Sequence, residues 1–320
     1  MTNLETGAAV KEGPPAEGVA PASTAPRQAR IPHGALRVMR ATSANTAQIE
    51  AWAAAEGWNP GRGDSGLFLR TDPAGHFAGF LGERHVSSIS VINYSDGFAF
   101  CGMLLVDPEM RHRGIGAATW AAAIGHAGER TVAADAPPHL IPQAEQLGFT
   151  DGFRILRYAG QIPAARPKDP HVVPLNAEEH AAALAQLDAA CFPARRPGFA
   201  AAFATAQGHQ TMVYTDANGN IRGYGVLRPA RGAARIGPLY AERSYQAANI
   251  FDALCALAAQ SGALKVAMDV PARSLGGRAI ADTRGLIRRG EAHRIYRPGA
   301  CELSPVDFEQ LCALPCIGLG

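Results

Sequence analysis

A basic stretch with two glycines, Arg111-His112-Arg113-Gly114-Ile115-Gly116, lies between an apolar run and a segment of small residues. A loop that begins a helix after a strand can bind phosphate, because the helix start presents unpaired N–H groups and a positive dipole end. Gly114 and Gly116 allow a ligand to approach the backbone closely, and Arg111 and Arg113 offset phosphate charge. The stretch predicts either a phosphate cradle or a surface turn with basic side chains.

Two familiar phosphate loops do not fit this stretch. No Gly-Lys-Ser/Thr sequence follows it, which excludes the ATP-type P-loop. A GxGxxG dinucleotide turn would carry three glycines, the first close to the strand end. Here residues 107 to 113 separate the strand end from Gly114. The spacing therefore favours a different phosphate ligand.

The elements around the loop form a mixed order of strands and helices. The predicted strands share apolar or alternating patterns, and the predicted helices share helical spacing of apolar residues. In chain order we predict a strand in GALRVMRA, a helix over 45–58, strands in GHFAGFLGE, HVSSISVINY and DGFAFCGMLLV, a helix over 114–128, a strand in RTVAADA, a short helix ending at Gly148 and a strand in FRILRYAG.

The pattern restarts after a proline-rich stretch at 161–174, which is typical of an inter-domain linker. Residues 239–241 correspond to residues 104–106, and VAMD at 266–269 corresponds to VAAD at 132–135. The alternative is a chance likeness of two α/β segments; we favour two related halves. The second half has Tyr245 to Ile250 at the cradle positions, without glycine or a basic residue, so no phosphate binding is expected there.

The composition limits the class of protein. With 320 residues we expect about two domains, at roughly 100–200 residues each. A net charge of +2 argues against a nucleic-acid partner, and no apolar run approaches the roughly 18 residues of a membrane helix. Residues 1–33, rich in Ala, Pro and Gly, are predicted to be a disordered tail. The six cysteines form no CxxC pair, which indicates reduced thiols, a cytoplasmic location and no metal site.

Strand, proline and then Arg-x-x-Gly-x-Gly before a helix resembles the coenzyme A pyrophosphate loop of the GNAT superfamily of N-acetyltransferases. The stretches EGWNPGRGD, DAACFPARR, GYGVLRP, IGPLY and RIYRPG resemble its two-domain bacterial branch. This resemblance implies an α/β (α+β) fold of two tandem GNAT-like domains, each a mixed, mostly antiparallel twisted sheet flanked by helices. The implied organisation is an acetyltransferase domain at 34–160, a linker at 161–174, a degenerate second domain at 175–299 and a tail at 300–320.

The resemblance also implies roles for individual residues. Backbone groups of Leu104, Leu105 and Val106 would pair with the pantetheine arm of acetyl-CoA. The thioester carbonyl would point at an N–H near Leu104 or Leu105, which would act as an oxyanion donor. The pyrophosphate would be bound by amides of the six cradle residues: Arg111, His112, Arg113, Gly114, Ile115 and Gly116. Trp58, Asn59 and Asp64 lie where the family binds its acceptor, and Asp64 would hold a substrate ammonium or only form a turn.

The proton chemistry remains open at the level of sequence. The family often has a tyrosine acid four residues before Gly148-Phe149, where this chain has Ala144. Tyr94, Tyr158 or Cys101 would replace it, or coenzyme A leaves as the thiolate; core packing is the alternative role for each. A glutamate base used by some relatives corresponds to Phe100. Candidates that could act through water are Glu83, His85 and Asp96.

These inferences predict an acetyl-CoA-dependent N-acetyltransferase that acts on a primary amine of a small molecule, without a metal. The alternatives are a non-catalytic acyl-CoA-binding sensor and a structural protein that has lost the cofactor site. We expect a monomer or homodimer that binds neither nucleic acid nor membrane. The tail at 300–320 could dock on either domain.

Overall fold

A computed structural model describes residues 35–166 and 168–318 of the chain. The predicted disordered tail at 1–33 lies outside these ranges. Within them, no helix has both the length and the apolar character needed to cross a membrane.

The first half alternates strands and short helices. Apolar residues alternate between the two faces of its central strand, whereas a run of alanines forms the helix after the cradle. Its elements are β1 (Leu36–Arg40), α1 (Ser43–Ala55), α2 (Asp64–Thr71), β2 (His76–Leu81), β3 (Arg84–Asn93), β4 (Phe98–Val106), α3 (Ile115–Ala123), β5 (Thr131–Ala136), α4 (Ile141–Gln146) and β6 (Thr150–Gln161).

The second half repeats this order and ends in an additional short strand. Its elements are β7 (Val172–Pro174), α5 (Ala177–Cys191), α6 (Phe199–Ala204), β8 (Gln210–Thr215), β9 (Ile221–Arg228), β10 (Ala234–Ala241), α7 (Ser244–Gln260), β11 (Lys265–Pro271), α8 (Leu275–Thr283), β12 (Ile287–Arg297) and β13 (Leu311–Ala313).

The strands of the described residues form one sheet in the order β1-β2-β3-β4-β5-β12-β6-β11-β10-β9-β8-β7, with β13 added beside β10. The pairs β4–β5 and β10–β11 are parallel and the other pairs are antiparallel. The predicted fold class, a mixed and mostly antiparallel sheet flanked by helices, is confirmed.

The two halves exchange a strand at the centre of the sheet. β12, from the second half, lies between β5 and β6, and β6, from the first half, lies between β12 and β11. The predicted linker at 161–174 overlaps the sheet at both ends, since Gln161 is the last residue of β6 and the whole of β7 lies within it. Boundaries drawn along the chain do not separate two independent sheets.

Three apolar cores stabilise the described part of the chain. One packs β3 and β4 against α3 and β5 around Trp120. Another packs β10 and β11 against α7 and α8. The third is shared between the halves, because α1 and α2 contribute to it together with α5, α6 and residues 314–317. Burying this shared surface is favourable at about 25 cal/mol per Å² of apolar area, so it fixes the halves against each other.

Candidate active site

The loop between β4 and α3 is held in place by short-range hydrogen bonds. The Asp107 carboxylate accepts from the N–H of Glu109 at 3.1 Å, and the Asp107 carbonyl accepts from Met110 at 2.8 Å. Arg84, at the start of β3, pairs with the Asp107 carboxylate at 2.8 Å. These contacts fix the path of the chain from the strand end to the cradle.

The cradle itself is open at the start of α3. His112 (φ 63°) and Gly114 (φ 83°) are left-handed, and Gly114 is the N-cap without a side-chain cap. The N–H of Ala118 bonds to the Gly114 carbonyl at 3.0 Å, so the N–H groups of the three preceding residues lie outside the helical ladder. A Cβ atom at Gly114 would meet nothing within 4 Å. The arrangement can bind an anion through backbone N–H groups and the helix dipole.

Arg111 connects the cradle to α1. Its Nε donates to the Val106 carbonyl at 3.2 Å, and its guanidinium forms an ion pair with Glu56. The Arg111 side chain is 38% exposed, so an anion in the cradle would compete with Glu56 for it. Arg113 is partly exposed beside it.

β4 and β5 diverge next to the cradle. Phe98 to Cys101 pair with Thr131 to Ala134, but β4 continues to Val106 without further pairing to β5. Its other edge pairs with β3, where Ser90 faces Gly102 and Ser88 faces Leu105. Met103 (φ 49°) therefore lies in a β-bulge. Beyond Cys101 the β5-facing edge of β4 has no strand partner among the described residues, although the Val106 carbonyl accepts from Arg111, so an added strand such as a pantetheine arm could pair there.

The equivalent gap in the second half is already filled. β10 pairs with β11 only at Ala234 and Arg235, and β13 pairs with β10 beyond that point. The helix α7 begins at Ser244, only three residues after β10 ends. Tyr245 to Ile250, at the cradle positions, therefore lie within a helix instead of a loop.

Trp58 and Asn59 lie at the boundary between the halves. The Trp58 carbonyl accepts from Arg157 at 2.9 Å, and its ring packs against the shared core. The Asn59 amide lies 3.5 Å from the Ala233 carbonyl. These two predicted acceptor residues therefore lie together at the boundary between the halves.

Asp64 has a different environment from the one expected. Its side chain is buried and forms an ion pair with Arg228, with His209 3.6 Å away. Burial alone would raise the pKa of the Asp64 carboxyl, but the Arg228 charge outweighs it and the pKa is lowered. The carboxylate is committed to an internal ion pair, which corrects the expectation that it holds a substrate ammonium.

The candidate acid–base tyrosines are buried. Tyr94 packs among Phe192, Phe199 and Arg196, and burial raises its pKa. Tyr158 belongs to the core of the second half. Both rings are buried inside these cores.

Cys101 lies two residues before the bulge at Met103, but its side chain is buried, and Asp96 lies farther back in the chain. Cys101 points into the core beneath α3, and burial raises its pKa to about 12. Asp96 lies in the turn before β4 with an exposed side chain, seven residues before Met103. His85 stacks between Trp52 and Phe80, 4.8 and 5.2 Å between ring centroids, and burial lowers its pKa.

A set of buried ion pairs that was not predicted surrounds the C-terminal segment. Asp135 pairs with Arg294 at 2.5 Å, and Asp269 pairs with Arg235 and Arg157. Burial opposes ionisation of Asp269, but Arg235 and then Arg157 lower its pKa. The sequence carried one signal for this set, since Asp135 and Asp269 are the matching aspartates of VAAD and VAMD.

Each of these two aspartates also binds the backbone of the C-terminal segment. Asp269 accepts from the N–H of Ile317 at 3.2 Å, and Asp135 accepts from the N–H of Gly318 at 3.3 Å. The segment passes from β13 in the second half to β5 in the first. The tail thus docks on both halves, where a single docking site was expected.

Comparisons with known proteins agree with this geometry. A profile described as "Acetyltransferase (GNAT) family" matches residues 41–149, and one described as "Acetyltransferase (GNAT) domain" matches residues 184–301. A curated relative, "Holothin acyltransferase" from Pseudoalteromonas sp. (strain SANK 73390), is 27% identical over 268 residues, which cover 80% of this chain and 90% of the relative.

Solved structures share the fold at low sequence identity. A putative acetyltransferase from Pyrococcus horikoshii superposes with a TM-score of 0.73 at 19% identity, covering 91% of this chain and 98% of that one. A tandem GNAT protein from the clavulanic acid biosynthesis pathway superposes with a TM-score of 0.60 at 19% identity, covering 85% of this chain and 100% of that one. The profiles and the folds therefore agree on two domains of one kind in tandem.

Proposed function

The chain belongs to the GNAT superfamily of acyltransferases, with two GNAT domains in tandem, and from this premise we propose that it is an acetyl-CoA-dependent N-acetyltransferase for a primary amine of a small molecule. The observation that carries the proposal is the open loop of residues 111 to 116 beside the unpaired edge of β4. The second half supports it by contrast, because its equivalent gap holds β13.

The chain's own residues would position the cofactor. Amides of the cradle and the Arg111 and Arg113 side chains would bind the pyrophosphate. Residues 104 to 106 would pair with the pantetheine amides, as an added strand does. An N–H beside the Met103 bulge would stabilise the oxyanion that forms on the thioester carbonyl. The exposed Leu104 side chain would cover part of the arm.

The reaction is a single acyl exchange. The neutral amine attacks the thioester carbon, the C–S bond breaks, and coenzyme A leaves as a thiolate that takes up the proton lost by the amine. Because Tyr94 and Cys101 are buried, we assign proton transfer to water at the open end of the site. The modest pKa of a thiol makes the thiolate an acceptable leaving group.

The experiment is an acceptor screen with acetyl-CoA, read as amide product by mass spectrometry, with longer acyl-CoA esters in parallel. Gly114→Glu tests the cradle, because its carboxylate would repel the pyrophosphate. Gly219→Glu is the matched control: Gly219 has the same left-handed conformation (φ 81° against 83°) and equally open surroundings, but lies in the β8–β9 turn.

We expect turnover in the wild type and in Gly219→Glu, and at least about a tenfold loss of acetyl-CoA affinity in Gly114→Glu, which corresponds to about 1.4 kcal/mol. Equal affinity in all three proteins would contradict the cradle assignment.

A second candidate function is a non-catalytic acyl-CoA-binding sensor. The burial of Tyr94 and Cys101 and the pairing of Asp64 with Arg228 favour it, since these side chains offer no free acid or base to a substrate. Tight acetyl-CoA binding without amide product for any amine would support the sensor. Product formation that is lost in Gly114→Glu would reject it.

A further inference from the structure

The C-terminal segment, residues 314–318, follows a fixed path between the halves. After β13, the N–H of Leu314 donates to the Asp269 carbonyl at 2.8 Å. Arg228 then donates to the carbonyl of Pro315. Ile317 and Gly318 donate their N–H groups to the Asp269 and Asp135 carboxylates, as described above. The segment therefore ends its described path at the point where β4 and β5 diverge.

Gly318 lies directly against the bulged strand. A Cβ atom at Gly102 would collide with the Gly318 carbonyl oxygen, so only glycine fits at position 102 without a shift of the segment. A Cβ atom at Gly318 would lie 3.9 Å from the Met103 Cε atom and 4.0 Å from the Trp58 ring. Gly318 thus lies between the bulge, where the thioester is expected, and the segment expected to bind the acceptor.

Burial and hydrogen bonds hold residues 314–318 firmly in place inside the protein. Cys316 is 1% exposed and Ile317 is 7% exposed, and both belong to the shared apolar core. The carboxylates that accept from the segment are themselves paired with arginines inside the protein. Releasing the segment would leave those buried charges without part of their hydrogen bonding, which is costly.

Resting on the proposed function, we infer that residues 314–318 form one wall of the acceptor site in the first half, so that the second half determines which amines are acylated. The wall narrows the space beside Trp58 and Met103. An amine attacking a thioester at the bulge would approach beside Gly318, which packs close to the Trp58 ring. The size of the acceptor beside its amino group is therefore limited by the side chain at position 318.

The test enlarges this wall and measures selectivity. Gly318→Leu places a branched side chain toward Trp58 and Met103. Gly262→Leu is the control, because Gly262 (φ 79°) is also left-handed, has open surroundings and follows the end of α7 in the second half. Values of kcat/KM are measured with ethylamine, benzylamine and tryptamine, together with the amines found by the acceptor screen; acetyl-CoA affinity is measured by calorimetry.

We expect Gly318→Leu to lower kcat/KM for the largest accepted amine at least about tenfold relative to the smallest, a transition-state difference of about 1.4 kcal/mol. Acetyl-CoA affinity should change less than about twofold, since the cradle is untouched. Gly318→Ala should shift the same ratio in the same direction by less, and it keeps the test valid if the leucine variant does not fold.

Two failures can be told apart. If the wild type acylates amines but the ratio between large and small amines is the same in both Gly318 variants as in Gly262→Leu, the wall is overturned and the proposed function stands. If the wild type acylates no amine, the proposed function fails and the wall fails with it.

Discussion

Arg228, at the end of β9 in the second half, forms a buried ion pair with Asp64, at the start of α2 in the first half. The same guanidinium donates to the Pro315 carbonyl, so one side chain connects both halves and the C-terminal segment. Local turn chemistry explains why Asp64 begins α2, since its carboxylate accepts from the N–H of Gly61 at 2.9 Å. The arginine that neutralises it lies 164 residues away.

Asp64→Ala should lower the free energy of unfolding by about 3–5 kcal/mol, because it leaves the buried Arg228 charge uncompensated. Urea unfolding followed by circular dichroism measures the change. Asp96→Ala is the control, because it removes an exposed aspartate of the same half and should leave the midpoint of the urea unfolding transition unchanged. The double variant Asp64→Leu with Arg228→Met should recover part of the loss; a double variant less stable than Asp64→Ala would contradict this account.

Stability should fall in acid over a defined pH range. Folding lowers the pKa of Asp64 and of Asp269 below the ordinary value of 3.8. Their ion pairs therefore contribute fully above that value, and the contribution is lost as the pH falls through the lower folded-state pKa values. Unfolding free energies measured between pH 7 and pH 2.5 should decline mainly below about pH 4. A smaller decline in Asp64→Asn than in the wild type is expected; equal declines would exclude Asp64 as a contributor.

Glu56 should compete with the cofactor for Arg111. Because the two side chains form an ion pair in the free protein, Glu56→Gln should free the guanidinium and tighten acetyl-CoA binding by about twofold to threefold, the range of a partly exposed pair. Calorimetry at low and high salt measures the effect, which should diminish with salt. Glu145→Gln, on the exposed face of α4, is the control with no expected change. Weaker binding in Glu56→Gln would refute the competition.

Each chain should bind a single acyl-CoA molecule. The gap beside β10 holds β13, and a Cβ atom at Gly277 of α8 would collide with the Cys312 carbonyl, so the strand fits closely there. Calorimetric titration should saturate near one ligand per chain. A stoichiometry of two ligands per chain would mean that β13 moves away from β10 to admit a second ligand.

Cys101 should be dispensable for turnover. Its thiol is buried beneath α3 and its pKa is raised to about 12, so it neither ionises near neutral pH nor reaches a substrate at the bulge. We expect Cys101→Ala to keep kcat within about twofold of the wild type. Any loss should be confined to thermal stability, because a small cavity destabilises the fold without changing the groups that react. A selective loss of kcat with an unchanged melting temperature would indicate that Cys101 does act as a proton donor.

The sequence predicted the parts of the site that depend on local spacing. The strand before the cradle and the glycine at the start of α3 both follow from residue types within one short segment. The matching of VAAD with VAMD also located two aspartates whose buried roles are equivalent. These features need no knowledge of distant partners.

The remaining features depend on contacts between distant residues. The pattern of apolar and polar residues along β6 does not show that its neighbours are β11 and β12. Such a pattern indicates which face of a strand is buried, but not which strand lies beside it. The docking of Gly318 against Gly102 is equally non-local. For Asp64 the sequence left two alternatives, a substrate-binding role implied by the resemblance and a turn, because its distant partner Arg228 could not be recognised from local residue types.

The exchange of β6 and β12 also has a consequence for synthesis on the ribosome. The cradle and α3 emerge early, but the place beside β5 stays vacant until Arg297, the end of β12, has been translated. During that interval the edges of β5 and β6 carry unpaired backbone groups, which can pair with another nascent chain. Slow translation between the two halves would lengthen the exposure, so the rate at which the second half is made should govern the yield of soluble protein.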